Sequence, residues 1–223
     1  MTLTIGGLWR YPVKTLAGEQ INVAKLTENG IPGDRLVQVR GPEGVRTSRR
    51  HHLLLGLQGS LSPEGVALVN GHAWDSPEAL ALAKRAAGDD AWLAASDGPE
   101  RFDILPLLVA TDGAVKTFGR DIRRLRPNVL VSGVDGMAEI GWEGAGLVIG
   151  DAVVFLDSLR GRCPMTTVDP DTLVRDPDVL RDIGRRFRGK LALNAKVVRE
   201  GRVTVGDAVR LVRDEQRDEA LPS

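Results

Sequence analysis

Short apolar segments separated by clusters of turn-forming residues run through most of this chain. Leu3 to Val13 is rich in β-branched and aromatic residues and reads as a strand, followed by a loop at Lys14 to Gly18. Residues 19–26 alternate polar and apolar positions around Ile21 and Val23, the pattern of a half-buried second strand. Asn29-Gly30-Ile31-Pro32-Gly33-Asp34 is dense in turn signals, and a third strand is expected at Arg35 to Arg40. Val66 to Trp74 has the form of a hairpin, with Asn70-Gly71 as a type I′ turn. Ile104 to Ala110 predicts a buried strand, and Val129-Leu130-Val131 predicts a core strand. Leu147 to Phe155 predicts two short strands around Gly150-Asp151, and the same local pattern returns between Val203 and Val212. That recurrence fits hairpins in one barrel better than a repeat architecture. With a further strand at Leu191 to Val198, the succession predicts an antiparallel meander or barrel.

Three helices interrupt the strands. Ser76-Pro77-Glu78 supplies an N-cap, a proline at the first helical position and an acid in the first turn, and Gly88 ends that helix. Thr111-Asp112-Gly113 caps a short helix running to about Gly119. Asp176-Pro177-Asp178 opens a third, whose Val179, Leu180, Ile183 and Phe187 fall at helical spacing. Arg185, Arg186 and Arg188 suit its negative pole. The expected fold class is therefore mainly β (α+β). Ala95 to Arg101 is the most linker-like stretch, which divides the chain at 1–96 and 97–212. Residues 213–223 alternate in charge and are expected to form a flexible tail.

Composition narrows the function classes. The chain of 223 residues is long enough for one large or two small domains. Its 30 basic and 30 acidic residues balance, so there is no global pull towards nucleic acid or an anionic membrane, and any anion site must be a local cluster. No apolar run is long enough to span a membrane. The start lacks a basic n-region and a long apolar h-region, so the expected location is cytoplasmic. A single cysteine, Cys163, excludes an internal disulfide and a multi-cysteine zinc site. His51 and His52 are adjacent, so their side chains diverge on an extended chain, and both read as surface residues.

Cys163 nevertheless stands in unusual company. Arg160 and Arg162 precede it, Pro164 follows, and the run continues Met165-Thr166-Thr167-Val168-Asp169-Pro170-Asp171-Thr172. Cationic neighbours favour a thiolate where they point towards it, and a thiolate is both nucleophile and soft metal ligand. A lone cysteine is otherwise a small buried hydrophobe. Here the surrounding run is polar and rich in turn residues, not apolar.

The run from Arg162 to Thr172 resembles the signature of MOSC domains, the C-terminal module of molybdenum cofactor sulfurases. That wider family includes the amidoxime-reducing component and bacterial relatives. Arg126-Pro127-Asn128, two residues of which share a side on an extended chain, resembles the motif that opens the MOSC core. Tyr11-Pro12-Val13-Lys14-Thr15, Gly33-Asp34-Arg35 and Thr47-Ser48-Arg49 resemble successive motifs of the β-barrel domain that precedes MOSC in larger members. Thr15 replaces a usual serine, and Leu105 stands where the family often has a hydroxyl before the proline equivalent to Pro106.

The resemblance implies a MOSC β-barrel preceded by a smaller β-barrel-like domain, with the cofactor in the cleft between them. It implies Cys163 as molybdenum ligand and catalytic residue, with Lys14, Thr15, Arg35, Arg49, Arg126, Asn128, Thr166 and Asp169 binding the molybdenum cofactor (Mo-molybdopterin). It implies two-electron reduction of small N-hydroxylated compounds. Electrons would come from a separate flavin, haem or iron–sulfur protein, since no Gly-x-Gly-x-x-Gly opens a helix and no second cysteine is present. Two alternatives share the fold. One is a sulfurtransferase carrying a persulfide on Cys163, and the other is a non-catalytic cofactor carrier. No nucleic acid or membrane partner is expected.

Overall fold

A computed structural model describes residues 2–96 and 98–213, so most of the expected tail lies outside the described residues. The strands are β1 (Leu3–Arg10), β2 (Glu19–Ile21), β3 (Val23–Leu26), β4 (Val37–Gly41), β5 (Gly44–Val45), β6 (Gly59–Leu61), β7 (Ala67–Val69) and β8 (His72–Ala73). They continue with β9 (Trp92–Ala95), β10 (Leu107–Thr111), β11 (Val129–Ser132), β12 (Gly146–Ile149), β13 (Ala152–Gly161), β14 (Lys190–Arg199), β15 (Gly201–Thr204) and β16 (Ala208–Val212). The helices are α1 (Pro77–Ala87), α2 (Asp112–Phe118) and α3 (Pro177–Phe187). The protein is mainly β, as its hydrophobic pattern predicts.

Seven strands close a barrel in the order β11-β10-β14-β13-β12-β16-β1, with β1 pairing back onto β11. Closure removes the exposed sheet edges that would otherwise need covering. Leu8, Leu107, Val109, Val131, Leu147, Leu156 and Leu193 fill its interior. β1 thus hydrogen-bonds within the same sheet as residues 107–212, although it precedes the division expected at residue 96. The sequence-expected strand at 19–26 breaks at Asn22 because it changes partner: β2 pairs with β1 and β3 with β15.

Within the barrel, β10 and β11 alone run parallel. A parallel pair needs a crossover instead of a tight turn. The crossover here contains α2 and the 3-10 turn Ile122–Arg124, so it delivers the Arg-rich segment 123–126 to one end of the barrel. Thr111 caps α2 by accepting from the Ala114 N–H at 3.2 Å, and Gly119 closes it in left-handed conformation. Leu125 is buried in a small satellite core with Phe118, Val179, Ile183, Phe187 and Leu191, which anchors the segment between two helices.

Residues 13–16 and 36–93 build a second core. The sheets β5-β4-β9 and β6-β7-β8 enclose Val13, Leu16, Val37, Val39, Leu54 and Val69. α1 packs through Ala79, Ala83 and Ala87. Ser76 caps α1 through the Ala79 N–H, and Asn70 and Gly71 take positive φ in the β7–β8 turn, both as the sequence predicts. No helix among the described residues is long and apolar enough to cross a membrane.

Leu156 is fully buried in the barrel. Leu156→Ala removes buried methyl groups and leaves a cavity, so urea unfolding should show a loss of about 2–5 kcal/mol.

Candidate active site around Cys163

The sequence pattern predicts that the strand beginning at residue 152 stops near 155. The structure carries β13 on to Gly161, held along β14 through the pair Gly161↔Lys190 with three register shifts. Arg162 is then tied by its N–H to the Gly189 carbonyl at 2.8 Å. Cys163 stays extended (φ −128, ψ 173), as a residue before proline does, and Pro164 starts a 3-10 turn at Pro164–Thr167. The Thr166 N–H and hydroxyl both donate to the Cys163 carbonyl, at 3.0 and 2.9 Å. The motif therefore fixes the backbone that presents the thiol.

Cys163 is half-buried and lines a cavity of about 70 Å³ with Arg35, Asp103, Leu105, Arg160, Arg162 and Asn194. A second cavity, of about 400 Å³, shares Arg124, Arg126 and Met165 with the first. Trp9, Tyr11, Leu55, Val168 and Leu173 form apolar parts of its wall.

The charges around the thiol are unusually positive for a chain neutral overall. Arg162 is the extreme case. Its Nη2 donates to the Leu125 carbonyl at 2.8 Å, while Nε and Nη1 are buried without a partner among the described residues. Burial lowers its pKa to about 10, with the Cys163 sulfur the main opposing influence. Arg126 lies with its guanidinium 4.2 Å from the Tyr11 ring centre, and its Nη1 donates to the Leu16 carbonyl at 2.6 Å. Burial lowers the Arg126 pKa as well. Tyr11 itself is buried, its hydroxyl donating to the Pro127 carbonyl at 2.9 Å. A Cβ on Gly18 would stand 2.3 Å from the Tyr11 ring, so only glycine allows this packing.

Asp103 gathers three cations. Its Oδ1 lies 3.1 Å from Lys14 Nζ, and its Oδ2 lies 3.4 Å from Arg49 Nη2 and 3.0 Å from Arg160 Nη2. Burial works against its charge, but Lys14, Arg160 and Arg49 outweigh burial and hold the carboxyl below the usual range. Arg35 ion-pairs with the fully buried Asp34 and faces the rings of Tyr11 and Phe102.

The structure therefore brings together Lys14, Arg35, Arg49, Arg126 and Cys163 from the residues that the sequence singles out. Lys14 and Arg49 reach the site through Asp103 and line neither cavity themselves, and the remaining four line neither as well. Asn128 is fully buried: its Oδ1 accepts from the Leu108 N–H at 3.1 Å, and its Nδ2 donates to the Trp9 carbonyl and to Asp34 Oδ2. Arg126 has φ 57, so the chain there is not extended, and the two side chains do not share a side as their spacing suggests. Thr15, at φ 83, accepts from the Ser48 N–H at 3.3 Å. Thr166 is fully buried in the turn behind the cysteine. Asp169 accepts the N–H groups of Asp171 and Thr172 and pairs with Arg124 at 2.8 Å.

Sequence reasoning presents Arg160 and Arg162 as neighbours of the thiol; the structure makes them walls of its cavity. Their two-residue spacing at a strand end was the available signal. Asp103 lies just past the linker-like stretch at 95–101, with no local signal. His51 and His52 are half-buried and line neither cavity.

Glu139 is the other buried charge near this corner. It is fully buried and accepts from the Ala192 N–H at 2.9 Å, the Thr111 N–H at 3.1 Å and the Thr111 hydroxyl at 2.8 Å. It thereby pins Ala192, which sits at φ 64 in β14 opposite the end of β13. Burial raises its pKa, against the three hydrogen bonds and the Arg162 charge. A raised folded-state pKa means the folded protein binds more protons than the unfolded chain between the two values. Stability from this group therefore falls as pH rises through that window. Glu139→Gln should remove this component, so the wild-type minus variant difference in unfolding free energy should decline from acid to neutral pH. A difference that stays flat, measured by urea titration, would contradict this.

Known proteins share part of this sequence and its fold. The MOSC domain family matches residues 112–210, which include α2, Arg126, Glu139 and Cys163. A stretch of 92 residues, 39% of this chain, is 38% identical to mitochondrial amidoxime reducing component 2 of Macaca fascicularis. It is 36% identical to the protein of the same name from Homo sapiens. The match spans 27% of the length of each relative. Among solved structures, the YuaD protein of Bacillus subtilis aligns over 95% of this chain and 96% of its own, with a TM-score of 0.53 at 16% identity, a likeness of fold alone. Residues 112–210 of this chain are a MOSC domain.

Proposed function

We propose that the chain binds the molybdenum cofactor beside Cys163 and reduces small N-hydroxylated compounds with electrons from a separate redox protein. The observation that carries this reading is a half-buried thiol in a cavity walled by cations from both cores, with two buried Arg162 donors unpartnered among the described residues. Buried donors of that kind are costly unless an acceptor arrives.

The residues present fit the cofactor. No group of three His, Cys, Asp or Glu among the described residues could hold a metal by itself, so a metal at Cys163 would take its other ligands from the cofactor's dithiolene. Cavities for small molecules run to roughly 300–1,000 Å³. The 400 Å³ cavity that shares three walls with the smaller one offers that volume. Cys163 would supply the single protein thiolate. Lys14, Arg35, Arg49, Arg126 and Arg162 would neutralise the phosphate and dithiolene charges. Leu105, Leu107 and Met165 form an apolar wall at the thiol, which limits water and strengthens every charge interaction there.

The bound cofactor supplies the two-electron chemistry. In the overall reaction the N–O bond breaks, two electrons and two protons are taken up, and the oxygen leaves as water. The chain's own residues hold the thiolate, balance the charge and shape the cavity. The name of the curated relatives supports a reductase over a carrier or a persulfide sulfurtransferase.

Protein purified from a host that makes the cofactor should contain molybdenum and pterin in stoichiometric amounts. It should reduce benzamidoxime with a chemically reduced dye. Cys163→Ser should lower metal content and turnover at least as far as loss of a supporting residue does, about 100-fold. Full metal and full turnover in that variant would refute the assignment. A gain of one sulfur atom on Cys163 without metal would instead show the sulfurtransferase.

A further inference from the structure

Among the described residues, Asp103 is the sole acidic one lining the cavity at Cys163. The cations it meets come from three places in the fold: Lys14 follows β1, Arg49 follows β5, and Arg160 lies on β13. Two carboxylate oxygens held by three cations within 3.4 Å form an oxyanion clamp that the protein fills with its own side chain.

The segment carrying Asp103 is fastened over the site at further points. The Glu100 carbonyl accepts from Lys14 Nζ, and the Glu100 carboxylate pairs with Arg40 at 2.9 Å. Arg101 donates to the Asp34 carbonyl at 3.1 and 2.7 Å. The Phe102 ring lies 5.7 Å from the Arg35 guanidinium. Leu105 lines the same cavity as Asp103. With the segment in place, the space beside the thiol is about 70 Å³, too small for an organic phosphate. Arg162 meanwhile keeps two buried donors without a partner in the same cavity, so Asp103 leaves part of the positive charge unanswered.

We propose that Asp103 is an internal counter-anion that closes the site in the ligand-free protein and yields Lys14, Arg49 and Arg160 to an incoming phosphate group. The proposal deepens the cofactor reading by naming what competes with the cofactor's phosphate for its cations. A closed state of this kind lowers apparent affinity in proportion to its population.

Inorganic phosphate titrated into metal-free protein tests this by calorimetry, with hydrogen exchange of residues 100–106 read in parallel. Asp103→Asn should bind phosphate about five- to tenfold more tightly than wild type, the scale set by loss of a few partly exposed ion pairs. Its segment should exchange faster without ligand. Phosphate should speed exchange of that segment in wild type, and Asp103→Glu should behave as wild type. A merely structural aspartate would change exchange without raising phosphate affinity. Equal or weaker phosphate binding by Asp103→Asn, or slower segment exchange in wild type on adding phosphate, would overturn the proposal. Repeating the titration on cofactor-loaded protein separates the two sources of phosphate. A lost response shows that the cofactor's own group holds the clamp, and a retained one shows that free phosphate is the ligand. None of these readouts needs metal, so failure of the molybdenum assignment at Cys163 would appear separately.

Discussion

Positive charges crowded around one thiol repel one another, and most of the local structure exists to hold them. Backbone carbonyls of Leu16, Leu125, Thr166 and Glu100 take hydrogen bonds from Arg126, Arg162, Arg124 and Lys14. The Tyr11 ring lies under Arg126, the buried Asp34 pairs with Arg35, and the more exposed Asp103 pairs with Lys14, Arg49 and Arg160. Neutral dipoles and a ring can support a guanidinium without cancelling its charge. The result is a site that stays positive in a protein whose 30 basic and 30 acidic residues balance.

Asp34 shows how this constraint joins the two cores. Its Oδ1 accepts from the Tyr11 N–H at 2.6 Å, its Oδ2 accepts from Asn128, and Arg35 pairs with it. Asn128 in turn receives the Leu108 N–H and donates to the Trp9 carbonyl. One buried carboxylate thus links the loop after β1, the turn before β4 and the strands β10 and β11. A buried charge left without these partners would be strongly destabilising, so the network fixes the relative placement of the two halves of the site. Rigidity at this joint positions Arg35 and Arg126, while the Asp103 segment, held mainly by partly exposed pairs, is the part of the site able to give way.

Much of this was legible in the residues. Hydrophobic alternation and turn chemistry located most of the strands, because side-chain period and turn conformation are local properties. The caps at Ser76, Thr111 and Asp176 marked α1, α2 and α3, again through contacts within a few residues. The cysteine run fixed which thiol to watch. The short strands β5, β6 and β9 gave no comparable signal, since two to four residues carry too little period to stand out. The reach of β13 to Gly161 also escaped the pattern. Residues there are polar because one side faces the cavity, and their strand conformation comes from pairing with β14.

By itself, the sequence determined a mainly β chain, the helix starts, the motif-bearing cysteine and the need for a local anion site in a neutral protein. Each follows from neighbours in the chain. Tertiary structure alone decided that Arg126 faces the cavity while Asn128 turns into the core, because Arg126 takes left-handed backbone that no spacing rule anticipates. It alone brought Asp103 to Lys14, Arg49 and Arg160 across separations of 54 to 89 residues, since an ion pair depends on distance in space and leaves no trace in local order.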